Sequence, residues 1–351
     1  MQLKIINPLE DNRWDAYAIN HKAGTIFHTS HWARVIEKTY GFTPFYCILE
    51  DPGGKIVAGV PFFLIKDAWR GRRLICLPFT DSCSPLINGE QVVEPLIKGM
   101  ISLFNDHRFS SVEIRSGTEN HMLQKLHMKD NNYYKLFRLD LSGGIESLWR
   151  GFKQKSIRYP IRKALSKKLV VDNTQDIKDI QAFYTLNVLT RKKHGIIPQP
   201  YRFFANIFHE MIAKGHALLF IARFENRPVA GSIFFLDQKT MYYKFNASDH
   251  RYLSLQPNSF LVWQAVQYGC NKGLRYLDFG RTAPDNKGLM SFKRHWGAEE
   301  IDMYYFYKPA AGNVSGIRES SLKYRMVTSV LRNMPAPFLK KLGDIFYGYF
   351  A

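Results

Sequence analysis

Val57-Ala58-Gly59-Val60-Pro61-Phe62-Phe63-Leu64 returns 172 residues later as Val229-Ala230-Gly231-Ser232-Ile233-Phe234-Phe235-Leu236, identical at six of eight positions. Each copy follows an apolar run and a polar turn. The first has Phe45 to Leu49, then Asp51-Pro52-Gly53-Gly54; the second has Leu218 to Phe224, then Glu225-Asn226-Arg227-Pro228. Strand, turn, strand is a hairpin pattern. Roughly fifty residues further on, each half offers a short strand ending in charge: Val112-Glu113-Ile114-Arg115, and Tyr276-Leu277-Asp278-Phe279-Gly280-Arg281. A recurrence at fixed offset marks duplicated structural units. The chain therefore reads as two similar α/β domains, with function between them or in whichever half kept the chemistry.

Outward from the repeat, composition sets bounds. The chain has 351 residues, 46% hydrophobic and 15% aromatic, enough for two domains that each bury a core. Its longest apolar stretch, Val57 to Ile65, is nine residues. A bilayer span needs roughly 18 to 20. No signal peptide is read at the N-terminus, so the expected location is the cytoplasm, extending to peripheral contact with the inner face of the plasma membrane. Cys47, Cys76, Cys83 and Cys270 lack C-x-x-C spacing and read as reduced thiols. The net charge of +19 calls for an anionic partner: nucleic acid, phosphorylated lipid headgroups or a diphosphate-bearing small molecule.

In the first half the patterns predict a strand at Leu3 to Ile6 and helices at Ser30 to Lys38 and Val92 to Phe104. A Pro/Ser/Asp-rich loop falls at Pro78 to Pro85, and a last strand at Phe137 to Leu141. The second half reads as helices at Ile145 to Lys168, Ile177 to Lys193, Tyr201 to Lys214 and Asn258 to Lys272, with a strand at Met241 to Asn246. Strands and helices alternate around antiparallel hairpins, which indicates mixed sheets. Ala310 to Gly316 reads as a linker, and one or two basic amphipathic helices follow it.

The densest chemical signal is Asp278-Phe279-Gly280-Arg281, followed by Phe292-Lys293 and Trp296-Gly297. Acid, glycine and arginine at a strand end bring a charge pair to a place where backbone can approach a ligand. The plainer alternative is an Asp278–Arg281 surface pair with Trp296 as a core plug. A kinase reading of Asp278-Phe279-Gly280 fails, because Tyr252 stands where the catalytic aspartate is required. Arg150, Lys153, Lys155, Arg158, Arg162, Lys163, Lys167 and Lys168 form a run without acids, divided by Pro160. It is either a phosphate-contacting surface or a solvated face. Neither H-E-x-x-H nor G-x-S-x-G occurs.

Taken in order, several segments resemble the FemAB-like (FemABX) aminoacyltransferases of the GNAT superfamily. They are Lys155-x-x-Arg158-x-x-Ile161-Arg162-Lys163-Ala164, the Val229 hairpin, Tyr243 to Ser248, Pro257-Asn258, Asp278-Phe279-Gly280-Arg281 and Phe292-Lys293-x-x-Trp296-Gly297. Phe27-His28-Thr29-Ser30-x-Trp32 is similar to that family's opening, and the resemblance covers about residues 1 to 310. It implies an α/β (α+β) fold of two tandem GNAT-like domains, 1–144 and 145–310, with mixed sheets flanked by helices, and a basic helical tail, 311–351. It also implies transfer of an acyl or aminoacyl group, without metal or bound cofactor, to an amine of a phosphate-bearing envelope precursor. That precursor would be of peptidoglycan or polysaccharide type.

The donor implied is aminoacyl-tRNA or acyl-CoA. Lys293 takes the place of the family's functional lysine. Arg158, Arg162, Tyr243, Asp278, Arg281, Phe292, Trp296 and, in the first half, Arg34 are the implied substrate-binding residues. Two features depart from relatives. No heptad arm for tRNA is present, and Arg251 to Asn258 lacks the glycines of a pyrophosphate loop, which disfavours acyl-CoA. Leu331-Arg332-Asn333-Met334-Pro335 and Leu342-Gly343-Asp344 resemble tails of exosortase- and exopolysaccharide-associated FemAB-like proteins. Such a tail either rests on an anionic membrane or packs on the domains. The competing expectation from another class is a non-catalytic RNA-binding protein using residues 150–168.

Overall fold

The computed structural model describes residues 1–67, 70–107, 109–117, 120–308 and 322–351, with backbone alone for 322–326. In chain order the first elements are β1 (Gln2–Ile6), α1 (Arg13–Asn20), α2 (Ser30–Tyr40), β2 (Thr43–Glu50), β3 (Ile56–Asp67) and β4 (Gly71–Cys76). There follow β5 (Leu86–Ile87), α3 (Val93–His107), β6 (Ser111–Arg115), α4 (His121–Lys125), β7 (Lys129–Asn131) and β8 (Lys135–Asp140). Next come α5 (Gly144–Gly151), α6 (Tyr159–Ser166), β9 (Val170–Thr174), α7 (Ile177–His194) and α8 (Tyr201–Ile207). The repeated hairpin and its successors are β10 (Ala217–Phe224), β11 (Arg227–Leu236), β12 (Thr240–Ser248), α9 (Pro257–Asn271) and β13 (Tyr276–Thr282). The chain ends with α10 (Lys287–His295), β14 (Glu299–Asp302), β15 (Tyr305–Lys308), α11 (Leu322–Asn333) and α12 (Ala336–Phe346).

Two compact units result: residues 1–134 with 302–308, and residues 135–301 with 322–350. The first sheet runs β1-β2-β3-β4-β6-β15-β7, with β5 also on β3; the second runs β14-β8-β13-β12-β11-β10-β9. Position by position these are the same sheet. Each has an antiparallel hairpin (β2–β3, β10–β11), a third antiparallel strand, a crossover helix (α3, α9) and a parallel return strand. The register also repeats. Arg73, Leu74 and Ile75 face Ser111, Val112 and Glu113, as Thr240, Met241 and Tyr242 face Tyr276, Leu277 and Asp278.

The glycine shared by both copies has a packing reason. A Cβ on Gly59 would fall 2.4 Å from the Trp14 ring of α1, and one on Gly231 would fall 2.9 Å from the Phe183 ring of α7. Each unit thus packs one helix aromatic closely against the middle of its hairpin, and both aromatics are fully buried. A side chain there would overpack the contact.

The domain boundary differs from the one expected at 144. Strand β8 does not close the first sheet; Leu136, Arg138 and Leu139 pair with Arg281, Asp278 and Leu277 of the second. Phe137 and Leu139 bury in the second core beside Leu277, Phe279 and Trp296. The first sheet is completed instead by β15, which lies between β6 and β7. Alternation identifies a strand's buried face but does not say which sheet that face joins. Residues 322–350 are likewise not a separate region, for α11 and α12 pack on α7. A Cβ on Gly195, just past α7, would meet the Thr328 carbonyl oxygen at 2.2 Å, and one on Gly343 the Pro198 carbonyl oxygen at 2.3 Å. The linker expected at 310–316 lies outside the described residues.

Candidate active site

Strands β12 and β13 share a parallel ladder only from Thr240 to Tyr242 and from Tyr276 to Asp278. Both then continue, to Ser248 and Thr282, with no ladder between them. Backbone N–H and C=O groups along these parted edges need partners from elsewhere, and an extended ligand can supply them. The slot opens toward the carboxyl ends of parallel strands, where α/β sheets commonly place ligands.

At the split the Asp278-Phe279-Gly280-Arg281 segment forms a bulge. Asp278 faces Arg138 and Arg281 faces Leu136, so one extra residue is accommodated on β13. Gly280 takes φ +69°, which a side chain would strain. The Asp278 carboxylate accepts the Gly280 N–H at 2.7 Å and lies 3.5 Å from the Arg138 guanidinium. Arg138 on β8 is thus a partner of Asp278 that the sequence offered no means of choosing. Asn286 caps α10 by accepting the Leu289 N–H at 3.2 Å. The helix brings Lys293 Nζ 2.7 Å from the Gly280 carbonyl and 3.2 Å from that of Arg281. The ammonium also lies 5.4 Å from the Phe137 ring centroid, and the residue is only 3% exposed. Lys293 therefore clamps the bulge.

Trp296 has no exposed surface. It packs in the core against Phe152 at 5.2 Å and Phe279 at 6.4 Å, the core-plug placement, and so backs the slot instead of lining it. Phe292 is half-buried on α10 and joins the same cluster. Tyr243, first past the split, stacks on Phe234 at 5.2 Å and meets Phe279 edge-on at 5.9 Å. Burial pushes its phenol pKa up, outweighing the opposite pull of a hydrogen bond with Ser232. It stays protonated at neutral pH and cannot serve as a base.

Several polar groups on these elements, lying in segments quoted above, were given no role from the sequence. Asn246 Nδ2 donates to Ser232 Oγ at 3.1 Å and to Asn258 Oδ1 at 3.3 Å, and Asn258 Nδ2 donates to Ser248 Oγ at 3.4 Å. The available signal was Ser232 itself, fully buried where the other copy has Val60.

The basic run is built around a π-turn, Gln154–Arg158, a widened helical turn often found at functional sites. Arg158 is half-buried there, and its Nε lacks a hydrogen-bond partner. Arg162 is exposed, with its guanidinium 5.8 Å from the Trp149 ring centroid. Pro160 does not divide the run: it sits in the first turn of α6, and the break falls at Phe152-Lys153. Arg34 is half-buried on α2 of the first unit.

In the first unit the corresponding slot is filled by its own chain. Where β12 is continuous apart from a one-residue irregularity, residues 77–85 leave the sheet between β4 and β5. Cys83 N–H donates to the Arg115 carbonyl, Arg115 Nη1 to the Thr80 carbonyl, Ser84 Oγ to the Ser116 carbonyl, and the Tyr305 hydroxyl to the Asp81 carbonyl. His28 holds the loop through Nε2, 3.0 Å from the Ser84 carbonyl.

Comparison with known proteins points to the same unit. The Acetyltransferase (GNAT) domain family matches residues 151–294. A lipid II:glycine glycyltransferase of Staphylococcus saprophyticus is 19% identical, with 82% of this chain and 89% of that protein aligned. Among solved structures, FemX superposes with TM-score 0.71 at 15% identity, covering 87% of this chain and 97% of its own. A tandem GNAT protein from the clavulanic acid biosynthesis pathway gives 0.55 at 10% identity, covering 87% and 97%.

Proposed function

On the premise that this chain is a FemAB-like acyltransferase of the GNAT superfamily, we propose that its second unit transfers an aminoacyl or acyl group to an amine of a cell-envelope precursor. The observation that carries this reading is the parted β12/β13 edge with its Lys293-clamped bulge. An extended donor lies along the parted strands, pairing with their backbone. The neutral amine attacks the donor carbonyl carbon, a C–N bond forms, and the C–O bond of an aminoacyl ester or the C–S bond of a thioester breaks. The departing group takes up a proton, and the amine's surplus proton passes to solvent or to that group. Orientation supplies much of the acceleration. Lys293 places its positive charge at the bulge, which favours negative charge developing on the donor oxygen nearby. Arg158 and Arg162 provide cationic contacts for the phosphate-bearing acceptor.

A lipid-linked acceptor would be met at a membrane surface. Among the described residues no helix is long and apolar enough to cross one. Val327, Val330, Phe338, Ile345 and Phe350 are exposed on the tail, with Arg332 and Lys341 exposed among them. Apolar residues beside cations suit anionic lipid. Sedimentation with anionic but not zwitterionic vesicles is expected, and equal recovery from both would end that part of the reading.

The central test incubates the protein with radiolabelled aminoacyl-tRNA and acyl-CoA separately, against lipid-linked precursor extract. Label entering the precursor from one donor supports the reading and identifies that donor. Salt-sensitive RNA binding with no transfer from either would favour the RNA-binding alternative.

A further inference from the structure

The open end of the β12/β13 slot carries a hydrogen-bonded group that the reaction above does not use. Phe234 faces Tyr243 and Ile233 faces Phe245, so Lys244 is the extra residue of a bulge in β12. The bulge puts Tyr243 and Asn246 on one face of the strand, where a spacing of three would otherwise put them on opposite faces. Tyr243 stacks there on Phe234, and Asn246 bonds to Ser232, which faces it across the ladder. Both Nδ2 hydrogens of Asn246 are spent, one on Ser232 Oγ at 3.1 Å and one on Asn258 Oδ1 at 3.3 Å. The carboxamide cannot turn to present a donor without breaking both bonds. Its Oδ1, an acceptor, is left without a partner among the described residues.

Two helices hold this arrangement. Asn258 stands in the first turn of α9, which is entered through Gln256 at φ +63°, a left-handed conformation that strains a side chain. From α7, Thr190 Oγ1 accepts the Ser248 N–H at 2.9 Å and donates to the Ser248 carbonyl at 3.0 Å, which pins the end of β12. The fold itself does not require the group. The first unit builds the same sheet with Val60, fully buried, in place of Ser232. Position gives the free oxygen a task. Lys293 holds the carbonyls of Gly280 and Arg281, two and three residues past the last rung on β13, and Asn246 stands four residues past it on β12. A donor whose reacting carbonyl lies beside Lys293 leads its carrier out past Asn246, because the ladder closes the other end. A fixed neutral acceptor there suits a polar hydrogen on an uncharged arm.

We propose that Asn246, positioned by Ser232 and Asn258, recognises the carrier arm of the donor, its Oδ1 accepting an N–H or O–H hydrogen from that arm. The inference rests on the transfer reading and deepens it to a specificity-determining contact. The hydrogen belongs either to an amide of a pantetheine thioester or to a ribose hydroxyl of a nucleotide ester.

The experiment is calorimetric titration of the full chain with two probes, coenzyme A and the trinucleotide cytidylyl-cytidylyl-adenosine. Each is paired with an analogue lacking the hydrogen: coenzyme A methylated on the amide nitrogen nearest sulfur, and the trinucleotide with a terminal 2′-deoxyribose. Asn246→Leu should lower affinity for the recognised probe about 10-fold. The matching analogue should bind wild type about as weakly and be insensitive to the substitution, the signature of a direct contact. Ser232→Val, which borrows the first copy's residue and releases the carboxamide, should cost about 3-fold and covers the case in which Asn246→Leu does not fold. Ser232→Thr, of the same shape with the hydroxyl kept, should recover most of that loss. Hydrogen dependence with coenzyme A assigns the contact to a pantetheine arm, and with the trinucleotide to a nucleotide ester. Wild-type affinity in Asn246→Leu, an equal loss for probe and analogue, or a wild type that binds neither probe overturns the proposal. Because binding is read without turnover, a protein that shows this pattern but transfers from neither donor would sink the transfer reading alone. An active one whose Asn246→Leu variant keeps its KM would sink this contact alone.

Discussion

The two units share strand order, register and a glycine-centred hairpin, yet one slot is plugged and the other open. In the first unit the segment between β4 and β5 has grown into residues 77–85, which occupy the parted edge with their own backbone groups. In the second unit the growth is on the facing strand: Gly280 is the extra residue that separates Leu277-Asp278-Phe279-Gly280-Arg281 from Val112-Glu113-Ile114-Arg115. The difference teaches that duplicated scaffolds diverge at the split of the sheet, where backbone groups must find a partner. A unit that supplies its own is structural; one that leaves them to a ligand is available for chemistry.

The sharpest way to break this contrast is Lys293→Met, which keeps length but removes the ammonium from the Gly280 and Arg281 carbonyls. Turnover should drop at least about 100-fold. Two buried acceptors losing their donor should also cost about 2–5 kcal/mol. A stability loss is therefore expected alongside the loss of turnover. Urea denaturation alongside the transfer assay separates the two effects, and full turnover would remove Lys293 from the site.

The plug of the first unit should be sensitive to acid. Burial lowers the His28 pKa from 6.5 to about 4. Unfolded chain takes up a proton near 6.5 while the folded chain resists until about 4. Stability is therefore complete above that range and falls as pH descends through it, by about 3 kcal/mol in all. Denaturation series between pH 7 and pH 4 measure the slope, and His28→Asn should flatten it. An unchanged slope in that variant would show that His28 does not gate the first unit.

Smaller effects test the likeness itself. Gly59→Ala should destabilise by about 1–3 kcal/mol and Gly231→Ala by somewhat less, read by thermal melting. The first Cβ meets a rigid Trp14 ring at 2.4 Å, the second the Ile221 tip at 2.8 Å. Gly280→Ala should cost only about 1–2 kcal/mol of backbone strain. It should nevertheless lower turnover more than Gly59→Ala does, because it moves the carbonyls that Lys293 holds.

Much of this was legible in the chain. The repeated octapeptide announced the duplication, and Asp278-Phe279-Gly280-Arg281 with Lys293 marked the segment that forms the bulge and its clamp. What the sequence hid were partners. Asp278 has a partner in Arg138 across the ladder, 140 residues away. Trp296 is a backing residue, because a tryptophan near a motif looks alike in sequence whether it faces a pocket or the core.

Local order and composition by themselves determined the hairpins, most helices and the duplication, because periodicity and turn residues act over a few positions. Which sheet each of β8 and β15 joins, what fills each slot and where Lys293 points were decided only in the folded chain. Those outcomes depend on which distant backbone edges and buried faces satisfy one another, and no short stretch of sequence contains both members of such a pair.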